Sequence, residues 1–287
     1  MQLAVSLPRE ELGMDPARLR DFAQGIEALG YTQLHTGEHV LGADITNRPD
    51  WASPYTIDTF WHEPLTFLAF VAACTQRIEL VSSILMLPLR QTPLVAKQAA
   101  EVDGLSGGRL RLGIGLGSVP LEYEFMGMDY KVRGRRVEEQ IALLRALWTQ
   151  KTVTFEGQWD RVVDAGINPL PVQRPIPIWM GGGTVESAMN RIARLADGWI
   201  LSGRLEGGAA TLARFHDLVR AGGRNPADVA ISARANAGKG TPEDWRAEHA
   251  RWQALGATHL AIGTVGVTSS DPAAHLDVLR RYQDAVV

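Results

Sequence analysis

Apolar positions along the chain follow two periods in turn, short continuous runs and stretches spaced three and four apart, from the first residues to the last. Residues 2–7 read as a strand. Asp15 and Pro16 then supply a helix cap and a proline at the first helical position, and Leu19, Phe22, Ile26 and Leu29 follow at helical spacing until Gly30 closes the helix. The strand-like run 31–35 leads into a long polar stretch, 36–61, before a helix over 63–74. Residues 77–85 form the clearest buried strand, 92–105 the next helix and 109–115 the next strand. Val137, Ile141, Leu144 and Trp148 mark the apolar face of the helix after that, and 152–163 predicts a hairpin around Glu156 and Gly157. The alternation resumes with strand 176–180, helix 184–195, strand 198–201, helix 205–221 and strand 229–233. Thr241, Pro242 and Asp244 open a further helix as a capping box, strand 259–262 follows, and Asp271 with Pro272 caps the last helix.

Eight strand–helix units in 287 residues are the count of a closed (β/α)8 barrel. The predicted fold is therefore α/β, a single TIM-barrel domain over residues 1–287 with an insertion at 150–175, after the fourth βα unit. An open doubly wound sheet is the rival. Its first turn would usually carry a dinucleotide fingerprint, and LPREELG does not. In a barrel, loops that follow strands sit at the catalytic mouth, so 36–61 is the candidate lid, with Trp51, Tyr55, Phe60 and Trp61 as flat apolar walls.

Composition narrows the partners. A formal net charge of −3 with 21% charged residues gives no basic footprint for nucleic acid or an anionic membrane, and small molecules are the expected ligands. The lone Cys74 permits no internal disulfide and reads as core filler. The apolar run at the N-terminus is short for a signal peptide, and no stretch of about 18 apolar residues occurs. A cytoplasmic location is expected.

Three glycines, Gly181, Gly182 and Gly183, stand where a predicted strand meets a helix, so bare N–H groups and the helix dipole would converge on one point suited to a phosphate. Thr184 would cap that helix and donate its hydroxyl. A tight turn needing positive φ is the plainer reading. In LRLGIGLGS, Gly113, Gly115 and Gly117 fall on one strand face, which implies either a planar ring approaching it or a tight bend of the barrel. Ser82 and Ser83 interrupt a bulky β-branched strand, by packing variation or as a bulge beneath a ligand.

HTGEH, residues 35–39, has the letters of an inverted zinc-peptidase motif, but Gly37 and the preceding strand pattern oppose the helix such a site needs. Glu38 and His39 instead fall at the mouth of the second strand, placed to donate to a ligand or shuttle a proton, with a capping or solvated histidine as the plainer reading. His216, His249 and His275 lie on predicted outer helices and read as surface. RGRR, residues 133–136, sets positive charge at a helix N-terminus, where it would pair with Glu138 and Glu139 or reach an anionic ligand.

The stretches ALGYTQLHTGEH, EPLTFLAFVAACTQRIELVSSILMLPLR, AKQAAEVDGLSGGRLRLGIGLG, RGRRVEEQIALLRALW and PIPIWMGGGTVESAMNRIARLADGWI together resemble the bacterial luciferase-like oxidoreductases, which use FMN or the deazaflavin coenzyme F420. The resemblance covers nearly the whole chain. It implies a ring over the barrel mouth, a phosphate on Gly181, Gly182, Gly183 and Thr184, and a non-proline cis bond at Ser83-Ile84. Ser83, Ile84, Gly115 and Gly117 would line the ring, and His39 would act as donor or acid–base with Glu38 orienting it. Glu38 and His39 stand where the family frequently has Asp-His. Ser118 stands where the sugar-phosphate dehydrogenase branch has an acid, and that branch's tryptophan is missing near Ala43, which speaks against that activity. The expected function is F420-dependent hydride transfer with a small organic substrate, in a homodimer. FMN-dependent monooxygenation with a separate flavin reductase is the alternative, and a zinc hydrolase or a non-catalytic flavin-binding barrel the remote ones.

Overall fold

The computed structural model describes residues 1–201 and 207–287. The chain begins with β1 (Gln2–Ser6), α1 (Arg9–Leu12), α2 (Pro16–Ala28), β2 (Gln33–Thr36), α3 (Pro64–Cys74), β3 (Glu79–Ser82) and the two-residue β4 (Leu85–Met86). It continues through α4 (Thr92–Ser106), β5 (Leu110–Gly115), α5 (Pro120–Phe125), α6 (Arg133–Thr149), the hairpin β6 (Val153–Glu156) and β7 (Arg161–Ala165), and β8 (Ile178–Gly182). The remainder is α7 (Glu186–Leu195), β9 (Gly198–Leu201), α8 (Ala209–Ala221), β10 (Ala230–Asn236), α9 (Pro242–Ala254), β11 (His259–Gly263) and α10 (Pro272–Val286). The predicted start of α8 at residue 205 lies outside the described residues.

The strands run in the order β3, β2, β1, β11, β10, β9, β8, β5, all parallel, and β3 pairs back onto β5, so the sheet closes into the expected eight-stranded barrel. The hairpin β6–β7 is the insertion, placed after the fourth strand–helix unit. Glu139 on α6 fixes its turn by accepting from the amides of Gln158, Trp159 and Asp160. The predicted strand 77–85 is in fact two pieces. The Ser83-Ile84 peptide is cis, as the family resemblance implied, and β4 resumes the course along β5.

Local signals set the helix starts. Asp15 caps α2 through the amides of Ala17 and Arg18, Thr241 and Asp244 form the capping box of α9, and Asp271 caps α10. Leu19, Phe22 and Ile26 then bury one face of α2 against the barrel. His275 corrects the surface expectation: α10 turns it inward, where it is fully buried with Nδ1 2.7 Å from Thr264 Oγ1 and Nε2 2.8 Å from Ser269 O. Cys74 is half-buried at the end of α3. Inside the barrel, Val81, Trp179 and Ile200 fill the space beneath the mouth. Gly198 admits the Trp179 indole, which would stand 2.7 Å from any Cβ there.

Candidate active site at the barrel mouth

The C-terminal ends of the strands enclose a cavity of about 610 Å³. Its shape begins with Gly37, which follows β2 and passes so close to the strand-three break that a Cβ would lie 2.8 Å from Ser83 O. No larger residue fits that crossing. The segment leaves β2 without forming a helix, so His35 and His39 share no helical face. His35 is buried in the barrel, with Nε2 3.0 Å from Gln33 Oε1, while His39 stands in the mouth. Burial pushes the His35 imidazole down to about 3, with Arg234 and His259 adding to the effect, so it is neutral at physiological pH.

Glu38 and His39 both line the cavity but face different partners. The Glu38 carboxylate accepts from the Met86 amide at 2.5 Å and pairs with Arg90. Burial raises its pKa, against the lowering pull of Arg90 and the Met86 amide. The expectation that Glu38 orients His39 is therefore not met, because neighbouring side chains outside a helix project in different directions. The orienting carboxylate is Glu122 of α5, 2.8 Å from His39 Nδ1, whose other oxygen accepts from the Val40 amide at 3.0 Å. Glu122 is 2% exposed. Facing a carboxylate, Nδ1 carries the proton, which leaves Nε2 as the atom available to a ligand. Tyr55 and Trp61 flank the imidazole at centroid distances of 4.1 and 5.0 Å. Of the four predicted lid aromatics these two line the cavity. Trp51 instead donates to Tyr55 O, and Phe60 packs edge-on against His62.

Ile84, at the strand break, explains two glycines. A Cβ at Gly115 would lie 2.6 Å from Ile84 Cδ1, and one at Gly181 would lie 2.6 Å from Ile84 Cγ2. A Cβ at Gly113 would stand 1.8 Å from Ser82 O, and Gly117 holds φ +68 against Met86. The bareness of β5 is thus close packing within the barrel. Ser83, Ile84, Gly115 and Gly117 nevertheless all line the cavity.

At the end of β8, Gly182 makes room for Ile192, whereas a Cβ on Gly183 would meet nothing within 4 Å. The strand runs two residues further than expected and α7 starts at Glu186, with Val185 in the capping position and no side-chain cap. Thr184 therefore does not cap the helix and is absent from the cavity lining, while Gly181, Gly182 and Gly183 are part of it. The first-turn amides of α7 are left for an outside acceptor.

The pairing expected for RGRR is also corrected. Glu138 binds Arg191 and Arg194, and Glu139 holds the hairpin. Arg133, which lines the cavity, stacks on Tyr130 at 3.6 Å and has no carboxylate partner among the described residues. Arg191 on α7 and Arg234 on β10 complete the cationic lining.

Residues 1–284 match the family described as luciferase-like monooxygenase. The chain belongs to the luciferase-like monooxygenase family. An uncharacterized protein of Mycobacterium tuberculosis (strain ATCC 25618 / H37Rv) is 34% identical over 189 residues, 63% of this chain and 64% of the relative, so the match spans just under two thirds of that relative's length. The FMNH2-dependent dimethylsulfone monooxygenase of Pseudomonas putida is 32% identical over 145 residues, 50% of this chain and 40% of that enzyme. An F420-dependent secondary alcohol dehydrogenase, solved with an F420-acetone adduct, shares the fold with a TM-score of 0.78 at 16% identity, covering 100% of this chain and 99% of that one. Among the proteins this luciferase-like chain resembles, one is named as FMNH2-dependent and one as F420-dependent.

Three participants escaped the sequence reading: Glu122, Arg191 and Arg234. Arg234 had a usable signal, since a charged residue at the C-terminal end of a barrel strand falls at the mouth. Glu122 had a weaker one, an acid four positions beyond Ser118 in the loop after the fourth strand. The described residues include no group of three or more His, Cys, Asp and Glu placed to hold a metal, and no helix long and apolar enough to cross a membrane.

Proposed function

We propose that the chain is an F420-dependent oxidoreductase that moves a hydride to or from a small organic substrate. The observation that carries this reading is the joint lining of one cavity by His39, Ser83 and Ile84, the open Gly183 backbone, and Arg133, which has no carboxylate partner among the described residues. The residues fit such a group: an uncapped helix N-terminus beside Gly183 offers N–H donors to a phosphate, and Arg133 and Arg191 offer cations to a polyanionic tail. Gly181, Gly182 and Gly183 would hold the phosphate, and Ser83, Ile84, Gly115 and Gly117 the ring. Bound there, the deazaflavin supplies a two-electron hydride donor or acceptor.

The chain's own residues do the rest. His39 Nε2 holds or accepts the proton that accompanies the hydride, its tautomer fixed by Glu122. Glu38 serves the site by fixing the Met86 amide and Arg90 next to the strand break. Tyr55 and Trp61 exclude water from the imidazole. The reading includes a homodimer.

The alternative is FMN-dependent monooxygenation with a separate flavin reductase, favoured by the similarity to the dimethylsulfone monooxygenase. A fluorescence titration of the purified protein with F420 and with FMN separates the two. Saturable F420 binding at least about tenfold tighter than FMN is expected, a gap of about 1.4 kcal/mol. The reverse order selects the alternative, and binding of neither overturns both. His39→Ala should keep the cofactor affinity and lose turnover.

A further inference from the structure

We propose that Arg234 is the substrate-recognition residue of this site and that the substrate is a small organic carboxylate. The inference rests on the oxidoreductase reading above and adds the substrate class. β10 and β3 lie on opposite sides of the barrel, and Arg234 reaches across the mouth to place Nη2 2.9 Å from Ser83 Oγ and 3.3 Å from Ser83 O. Its Nε and Nη1 have no hydrogen-bond partner among the described residues, and no carboxylate pairs with it there. Arg234 is exposed at the cavity as a residue, and the surrounding protein partly desolvates its guanidinium, lowering its pKa.

Its position is also special. Arg234 lines the main cavity and two adjoining ones, one of about 100 Å³ at the ends of β1 and β2 and one of about 430 Å³ at the ends of β1, β10 and β11. That sector lies away from β5 and β8, where the glycine-lined backbone is, so it offers room for a second molecule beside a bound cofactor. The other charges there cancel or stand aside. Arg9 is paired with Glu10 at 2.9 Å and lies 3.7 Å over the Trp61 ring, Glu11 lines only the outer cavity, and His35 beneath is neutral. One uncompensated cation with free planar donors suits a carboxylate. Tyr55 and Trp61 supply a flat apolar wall for the body of such a molecule.

The test is calorimetric titration with benzoate and its neutral counterpart benzamide, on the chain alone and on the cofactor-loaded protein. Benzoate should bind in preference to benzamide. Arg234→Gln should weaken benzoate at least about tenfold, as loss of a charge-assisted hydrogen bond does. Arg234→Lys should retain part of the benzoate affinity. Three results overturn the proposal: no benzoate binding by the wild type, equal binding of benzamide, or unchanged benzoate binding by correctly folded Arg234→Gln. A variant that loses cofactor affinity or thermal stability while keeping benzoate assigns the guanidinium to the ring or to the Ser83 tether, and also overturns it. Failure of the cofactor reading shows separately, as wild-type protein that binds benzoate but neither F420 nor FMN.

Discussion

The two glycine-rich stretches look alike in sequence and behave differently in the barrel. On β5 and just beyond its end, Gly113, Gly115 and Gly117 are each bare because protein atoms occupy the space: the Ser82 carbonyl, the Ile84 side chain and the Met86 sulfur. On β8, the space at Gly181 and Gly182 is filled by Ile84 and Ile192, while Gly183, just past the strand, faces open space. A glycine reports that something comes close to the backbone. Whether that something is the protein or a ligand depends on where the strand sits in the barrel, and the contrast sorts the glycines into those that hold the fold and one that serves the rim.

The sharpest way to break the contrast is Gly113→Ala. Its Cβ would need the Ser82 carbonyl, a backbone atom, to move from 1.8 Å, so a loss of about 3 kcal/mol or more is expected in urea denaturation. Unchanged stability would refute the claim that the β3–β5 approach is rigid.

The filled interior also predicts a pH dependence. His35 is held neutral down to about pH 3, while its unfolded-state pKa is about 6.5. The unfolded chain therefore binds the extra proton first, and stability present above pH 6.5 is lost as pH falls towards 3. Between pH 6.5 and 5 this residue should account for about 2 kcal/mol. His35→Gln should flatten that slope in denaturation curves at the two pH values.

Gly181→Ala sets a Cβ against Ile84 Cγ2 and should cost about 1–2 kcal/mol. Adding Ile84→Ala should recover part of it, and a double-mutant cycle with no coupling would deny that the two share the space. Gly183→Ala comes last in stability, within about 0.5 kcal/mol. It should nonetheless weaken F420 binding in a fluorescence titration, because its methyl group enters the open side of the rim. Equal affinity would remove Gly183 from the anion site.

The local signals carried the architecture well. The caps at Asp15, Thr241 and Asp271, the eight alternations and the hairpin after α6 were readable because each depends on residues a few positions apart. Thr184 misled because strand and helix ends shift by two residues without changing the pattern. Adjacency in sequence does not make Glu38 the neighbour of His39 in space, whose partner Glu122 is 83 residues away. Nothing local to LEYEF or SARAN marks Glu122 or Arg234 as neighbours of HTGEH and the Ser83-Ile84 break.

By itself the sequence determined the barrel, its order of elements and the segments that reach its mouth, since hydrophobic period, caps and turn residues act over short distances. Only the tertiary structure decided which carboxylate meets His39, which glycine stays open and which arginines of the mouth have no carboxylate partner among the described residues. Those are outcomes of strands from distant parts of the chain closing on one another, where a shift of an ångström exchanges one partner for another.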